Sequence, residues 1–533
     1  MTERCRLREI KNEVNVPAMI FSKTAISRRS LIALLGAAAG SAFLPARAGV
    51  KTVDATRDRS SSTLFYKPRR TGNIWDAWIY YHAGTFYLYY NPSPSEMKTF
   101  GGWNCIALAT SQDGVHWHEH GIVQNASRGT QLGSGAVWPM TPSADAPKFI
   151  MNFSEQSVDP SDRKAKQIIF FAESNNLIHW RRLDAKYSFQ SDPRWYDPSG
   201  RWDNIWPVPR PDGGYYGYWA ATPNNKKVGI GLGESSDGVN WTALPPALLP
   251  EISLGPTGAY SPEVGAVHLH EGKYYALVGL NGTEPIVNEG MSVFRPGETI
   301  VIADSPRGPF RVCKKNSRLL VGNASYFTRF LDTPGGTLGN HQSWEHDPSK
   351  SLGVDPDRVY MAPLKRAHWD NEGTLRLMWW DRNDSAKGQS MALSLGEPSG
   401  TQPVFFKTVF DLDKTMILEG QMRLPASSER RHVGLYFQGA GNTGTAFLVL
   451  DNGRVDYGSM RENGTGFQRI DSVDRSLAPE ITVRFRLVRK GRMTECYLND
   501  FLMQCYSLPE GTGQVGLLGP PSAYDKLKVS YCL

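Results

Sequence analysis

Cysteine is scarce in this chain: there are six in 533 residues and no Cys-x-x-Cys pair, so a zinc ribbon or a dense disulfide scaffold is excluded. Beyond the first 48 residues only Cys105, Cys313, Cys496, Cys505 and Cys532 remain. Cys496 and Cys505 flank an Asn499-Asp500 turn signal, which leaves open a cross-strand disulfide or two buried thiols. No long Ala/Glu/Lys/Leu heptad run is present, which argues against a coiled coil. No P-loop or dinucleotide fingerprint is present, so nothing calls for a nucleotide cofactor. No apolar run after residue 48 is long enough for a transmembrane helix. Excess charge is missing too. Residues 1–48 hold eight Lys/Arg and three Glu, which is +5 of the total +7, and the remainder carries only +2. A near-neutral protein gives no electrostatic case for nucleic acid as a partner.

What the chain has instead is aromatic side chains and turns: 15 Trp, 22 Tyr, 52 Gly and 35 Pro, a mixture suited to β-rich structure. At 533 residues it exceeds one ordinary domain. The opening segment reads Ser27-Arg28-Arg29-Ser30-Leu31-Ile32, then an Ala-rich apolar run to Leu44, then Ala46-Arg47-Ala48. Twin arginines before a short apolar stretch and a small-x-small site predict an export signal of the twin-arginine type over residues 1–48, with a periplasmic or extracellular mature protein.

A short pattern then recurs. Ser111-Gln-Asp-Gly-Val-His-Trp117, Ser174-Asn-Asn-Leu-Ile-His-Trp180 and Ser235-Ser-Asp-Gly-Val-Asn-Trp241 share a Ser start and a Trp end, with a looser copy at Ala303–Phe310. The closing aromatics are 63, 61 and 69 residues apart. A fixed period holding several short strands is the mark of propeller blades, with this motif as a hairpin turn. Residues 62–397 have room for five blades. Residues 401–533 instead show alternating strands with Asn452-Gly453 and Asn499-Asp500 turns, which reads as an antiparallel β-sandwich of jelly-roll or lectin-like type. Pro398–Pro403 is the expected linker. The expected fold class is all-β.

Three acids stand at the starts of strand-like runs: Asp76, Asp203 and Glu263, separated by 127 and 60 residues, about two blades and one. Equivalent blade positions converge on a propeller axis. Converging carboxyls can supply the acid, the nucleophile or base, and the charge stabiliser of glycoside cleavage. Trp75, Trp78, Trp138 and Trp206 lie near blade starts, where an indole either stacks on a sugar ring or packs blades together. Arg201 stands where it can bond sugar hydroxyls or tune an acid, and His341 is either a polar contact or a structural residue.

On these residues the chain resembles the five-bladed propeller glycoside hydrolases of families 32, 43, 62 and 68, and most of all family 32, the invertases, levanases and inulinases. That family opens with Asn-Asp-Pro-Asn-Gly before a Tyr-rich strand; here Trp75-Asp76-Ala-Trp78-Ile-Tyr-Tyr81 precedes Tyr87-Leu-Tyr-Tyr-Asn-Pro92. Its Ser-Gly-Ser is matched by Gly133-Ser-Gly-Ala-Val137, its Arg-Asp-Pro by Arg201-Trp-Asp203, and its Glu-Cys-Pro by Pro262-Glu263-Val264. The chain departs from the pattern in three places: Asp76 lacks the Pro-Asn-Gly, Trp202 separates Arg201 from Asp203, and Glu263 lacks the Cys-Pro.

The resemblance implies a glycosidase cleaving fructosyl or arabinosyl furanoside linkages in oligo- or polysaccharides, with no cofactor or metal. Asp76 would be nucleophile or base, Asp203 stabiliser and Glu263 acid. A transglycosylase or phosphorylase on the same fold, or a sugar-binding propeller without catalysis, are the alternatives. A sialidase-like Asp-box fits less well, because the turn motif is one residue short.

Overall fold

The computed structural model describes residues 61–532, apart from 63, 93–103, 128–129, 141–147, 158–165, 225–226, 253–261, 281–285, 289–290, 294–296, 347–353, 399–402, 427–431, 440–442, 462–464 and 475–476. The export signal and most of the expected linker lie outside the described residues.

Each sequence repeat folds into an antiparallel sheet whose strands pair in chain order. Blade I holds Trp75–His82, Thr85–Asn91, Cys105–Ser111 and His116–Asn125. Blade II holds Thr130–Pro139, Phe149–Ser157, Ile168–Ser174 and Arg181–Arg182. Blade III holds Trp202–Pro209, Tyr215–Ala221, Gly229–Ser235 and Thr242–Leu248. Blade IV holds Glu263–His270, Lys273–Leu280 and Gly297–Ala303, with Arg311–Val312 and Arg318–Leu320 outside them. Blade V holds Ser325–Thr333, Gly336–His346, Lys365–Trp369 and Leu375–Trp379. The first strand of each blade is innermost. These five lie side by side in a closed ring, with blade V against blade I.

Alternation puts one apolar face of each blade against each neighbour, and a separate hydrophobic cluster fills every junction. Trp78 and Tyr89 meet Met151 and Phe153 between I and II. Trp138 and Phe171 meet Trp202 and Trp219 between II and III. Tyr218 and Ile230 meet Val264 and Ala276 between III and IV. Ala266 and Leu277 meet Phe330 and Leu377 between IV and V. Ile79 and Leu88 meet Leu331 and Leu338 where the ring closes. Each large apolar side chain so buried contributes about 1.5–3 kcal/mol, and the closed ring leaves no inner edge open.

The recurring Ser–Trp motif is a turn, as its spacing predicts. Ser111 Oγ accepts from the Gly114 N–H at 2.8 Å, and Asp113 Oδ1 accepts from the N–H groups of Val115 and His116, each at 2.8 Å. Ser235 and Asp237 repeat the pattern, and so do Ser174 and Asn176. Gly114 and Gly238 take the left-handed conformation the turn needs (φ +77° and +83°); Leu177 takes it without glycine (φ +64°).

The sandwich is joined to the propeller by hydrogen bonds across a shared sheet. The outer strand of blade V pairs through Met378 with Phe501 of the strand Phe501–Ser507, giving one continuous eleven-stranded sheet among the described residues. Facing it is a sheet containing Val433–Gly439, Gly444–Val449, Val455–Arg461, Thr465–Val473 and Gly511–Leu518, with an apolar core between the two. One boundary differs from the sequence reading. Lys387–Ala392, expected within the propeller, pairs with Tyr524–Cys532 as an edge of the sandwich sheet, because the repeat carries no marker of where its last strand ends. Cys496 and Cys505 are free thiols. Cys505 pairs with Glu495 and Cys496 with Gln504, so the two sulfurs face opposite sides of one sheet and no bridge can form.

A buried ion pair ties blade IV to the sandwich. Arg318 donates to both oxygens of Asp471 at 2.9 and 3.0 Å, and Tyr506 donates to Asp471 Oδ2 at 2.7 Å. Burial alone would raise the Asp471 pKa, but Arg318 and Tyr506 hold it below the usual carboxylate range. Asp471→Asn is therefore expected to cost about 3–5 kcal/mol at pH 7. A depressed folded-state pKa contributes stability only above the unfolded value. The deficit, measured by chemical denaturation, should accordingly shrink below about pH 4.

Candidate active site

All five inner strands break register near the acid-bearing end: between Trp75 and Trp78, Leu132 and Gly135, Asp203 and Trp206, Val264 and Ala266, and Tyr326 and Arg329. These are β-bulges, which re-aim side chains and sharpen twist. Asp76 lies inside its bulge with φ +44°, Asp203 comes just before Asn204 (φ +61°), and Phe327 takes φ +67° in blade V. The acids are therefore staggered relative to the bulge rather than strictly equivalent. Asp76 falls within it, Asp203 one residue before it, and Glu263 two residues before Gly265.

The structure brings the acids together around two guanidinium groups. Asp76, Asp203 and Glu263 are buried, at 7%, 4% and 5% exposure. Arg201 Nη2 donates to Asp203 Oδ2 at 2.8 Å and Nη1 to Glu263 Oε1 at 3.2 Å, so one side chain spans two blades. Asp203 Oδ1 also accepts from Ser154 Oγ at 2.5 Å, and Gln167 donates to that hydroxyl at 3.1 Å. Glu263 Oε2 accepts from the Tyr326 hydroxyl at 2.8 Å. Arg329, fully buried, is near enough to Asp76, Asp203 and Glu263 for their charges to raise its pKa against the burial that lowers it.

Among the aromatic candidates, Trp75 is half-buried beside Asp76 at the acid-bearing end. The other three turn away. Trp78 and Trp138 are 1% and 2% exposed, which leaves no face for a sugar. Trp78 stacks on Tyr89, and Trp138 donates to the Gly238 carbonyl at 3.0 Å. Trp206 donates to the Val267 carbonyl at 2.8 Å. These three border a cavity of about 520 Å³ lined by the C-terminal halves of the inner strands, the end away from the acids. Each stands past its bulge, so its indole packs the axis and the blade junctions.

His341 also lies apart from the acids. It is fully buried beside blade V's contact with the sandwich, its Nε2 3.5 Å from Glu495 Oε1. Burial lowers its pKa well below the usual histidine value. Ligand atoms of His341, Glu495 and Cys505 lie within 4.8 Å of one another, but the Lys365 ammonium donates to Glu495 at 2.8 Å and already supplies the cation there.

Ser154, Tyr326 and Arg329 were not legible as site residues. Tyr326 stands in blade V one residue before its bulge, the position Asp203 holds in blade III, but blade V carries the weakest repeat. Arg329 sits in the otherwise strand-like run Ser325–Thr333.

No family model matches this sequence, and no curated protein matches it. Solved structures do. A sucrose-6-phosphate hydrolase from Lactobacillus gasseri superposes with a TM-score of 0.63 at 14% identity, over 85% of this chain and 89% of that one. The fold is that of the family 32 glycoside hydrolases. A family 32 β-fructofuranosidase of Bombyx mori gives 0.63 at 15% identity over 86% and 91%. An exo-inulinase from Aspergillus awamori gives 0.61 at 12% over 89% and 99%. At these identities the likeness is one of fold, and chemistry must be argued from the site.

Gly133 is the residue that makes room for this arrangement. A Cβ there would stand 2.5 Å from Asp203 Oδ1 and press on Ser154 Oγ. Gly133→Ala is expected to cost about 1–3 kcal/mol through overpacking, read by thermal unfolding. In an Asp203→Ala background the cost should fall, because one of the two clash partners is gone and Ser154, released from its bond to Asp203, is free to turn away. An equal cost in both backgrounds would show that Gly133 is not shaped by Asp203.

Proposed function

We propose that this protein is a glycoside hydrolase acting on fructofuranosides or related furanosides, with Asp76, Asp203 and Glu263 as its working carboxyls. The observation that carries the reading is Arg201, which joins Asp203 to Glu263 across two blades while Asp76 faces the same buried Arg329. Three acids gathered from three blades have no evident structural purpose, since burying like charges costs stability unless a function retains them.

In this reading Glu263 protonates the leaving-group oxygen. With a proton on Oε1, Glu263 still accepts from Tyr326 through Oε2, while the contact from Arg201 to Oε1, already the longer one at 3.2 Å, weakens. Substrate binding would turn Arg201 wholly to Asp203, its shorter contact, and leave Oε1 to carry the proton. Asp203, already receiving Arg201 and Ser154, bonds sugar hydroxyls next to the oxocarbenium-like centre. Asp76 attacks the anomeric carbon or activates water, and Trp75 flanks the ring. Transfer to a sugar acceptor in place of water is the second reading. A fructosyltransferase from A. japonicus shares the fold, with a TM-score of 0.58 at 13% identity. The twin-arginine leader would deliver the folded enzyme outside the cytoplasm.

Purified enzyme should release reducing sugar from sucrose, inulin, levan or arabinan. Glu263→Gln and Asp76→Asn should each lower kcat at least about a hundredfold, the usual size of a general acid–base or nucleophilic contribution, with unfolding temperatures unchanged within a few degrees. Near-normal turnover in either variant rejects the assignment. Oligosaccharide products at high substrate would favour transfer over hydrolysis.

A further inference from the structure

The inner strand of blade V places a cation where the other blades place none. The first residue after the bulge is Trp78 in blade I, Gly135 in blade II, Trp206 in blade III and Ala266 in blade IV; in blade V it is Arg329. The side chain is fully buried, so it cannot touch a substrate. Its guanidinium lies 4.3 Å from the Phe327 ring centroid and 5.4 Å from that of Trp206. Asn204, in the orientation that satisfies both ends of its amide, accepts from Nη1 and Nη2 at 3.0 and 3.1 Å and donates to the Gly135 carbonyl at 3.1 Å. The acids whose charge acts on Arg329 are Asp76 from blade I, Asp203 from blade III, and Glu263 and Glu298 from blade IV; burial pushes Glu298 up to about 8, so it is mostly protonated at neutral pH. Arg201 is the second cation, bound to two of them.

We propose that Arg329 is a positioning residue: an axial guanidinium that offsets the repulsion among Asp76, Asp203 and Glu263 and holds them around one axis without touching the sugar. Three carboxylates closing on one axis repel one another, and Arg201 bonds directly to Asp203 and Glu263. Arg329 is common to all three. Its place is fixed by aromatic faces and the Asn204 amide, so it balances the three charges jointly instead of committing to one acid. Burial lowers the Arg329 pKa to about 10 against the pull of the acids, so the cation persists throughout the neutral range.

The kinetic arm of this inference rests on the glycosidase reading; the stability arm does not. In general, removing a unit positive charge from within about 10 Å of a carboxyl, at an effective dielectric near 20, raises its pKa by about one to two units. In Arg329→Met the acid limb of kcat/KM should therefore move up by about that amount, and Arg329→Lys should restore it. A merely structural defect would lower activity at every pH and leave the limb in place. Thermal unfolding gives the independent arm. Without the guanidinium the repulsion among the buried carboxylates is unanswered; protonating them relieves it, so the variant recovers stability as pH falls. The Tm deficit of Arg329→Met should be largest at pH 7 and shrink toward pH 4.5. A deficit that is the same at both pH values overturns the proposal, as does an unmoved acid limb. If the wild type cleaves no furanoside, that failure belongs to the glycosidase reading, and the unfolding series still decides the role of Arg329. Should Arg329→Met not fold, Arg329→Gln carries the same comparison.

Discussion

Closure of five inner strands around one axis is the constraint on which everything else depends. It turns residues more than a hundred positions apart into neighbours, and it sets their chemistry as well as their distance. Once Asp76, Asp203 and Glu263 are drawn into a buried space, their charges must be answered there. Hydrogen-bond donors and guanidinium groups do so. Arg201 answers two acids by direct contact, and the charges of all three act on the buried Arg329. The site is better described as a compact ionic lattice than as three separate carboxyls.

The bulges are how a repeating scaffold makes a non-repeating site. A regular strand alternates its side chains with period two, so five equivalent strands would present five equivalent rings of residues. A bulge in each strand, placed one or two residues differently relative to the acid, re-aims Asp76, Asp203 and Glu263 individually. The same bulges send Trp78, Trp138 and Trp206 to the blade junctions and the far end of the axis. Room is then made where the lattice is tightest, as at Gly133 under Asp203. Among the described residues, the contacts found around the acids come from the propeller. The sandwich is bound to it through the shared sheet and the Arg318–Asp471 pair.

Period and composition were enough to read an all-β chain, five blades and a sandwich, because strand alternation and turn chemistry are local properties. The Ser–Trp motif shows this best: its hydrogen bonds close within a single turn, and its copies fold alike. The acids were legible for a weaker reason, their phase in the repeat. Phase does not say on which side of a bulge a residue falls, and so it could not separate Trp75, beside Asp76, from Trp78, packed on Tyr89. His341 shows the same limit. It sits in the second strand of blade V, Gly336–His346, and its ring lies beside Glu495 of the sandwich. That placement depends on a domain contact invisible to spacing.

The strand period, the turns, the passage from repeat to sandwich and three acids near blade starts are written locally in the chain, since each is encoded within a few neighbouring residues. Folding across the ring is what joins Arg201 to two blades, Tyr326 to Glu263, and the buried Arg329 to the charges of all three acids. Those partners come from different blades, and electrostatic complementarity between distant segments leaves no periodic trace in the chain.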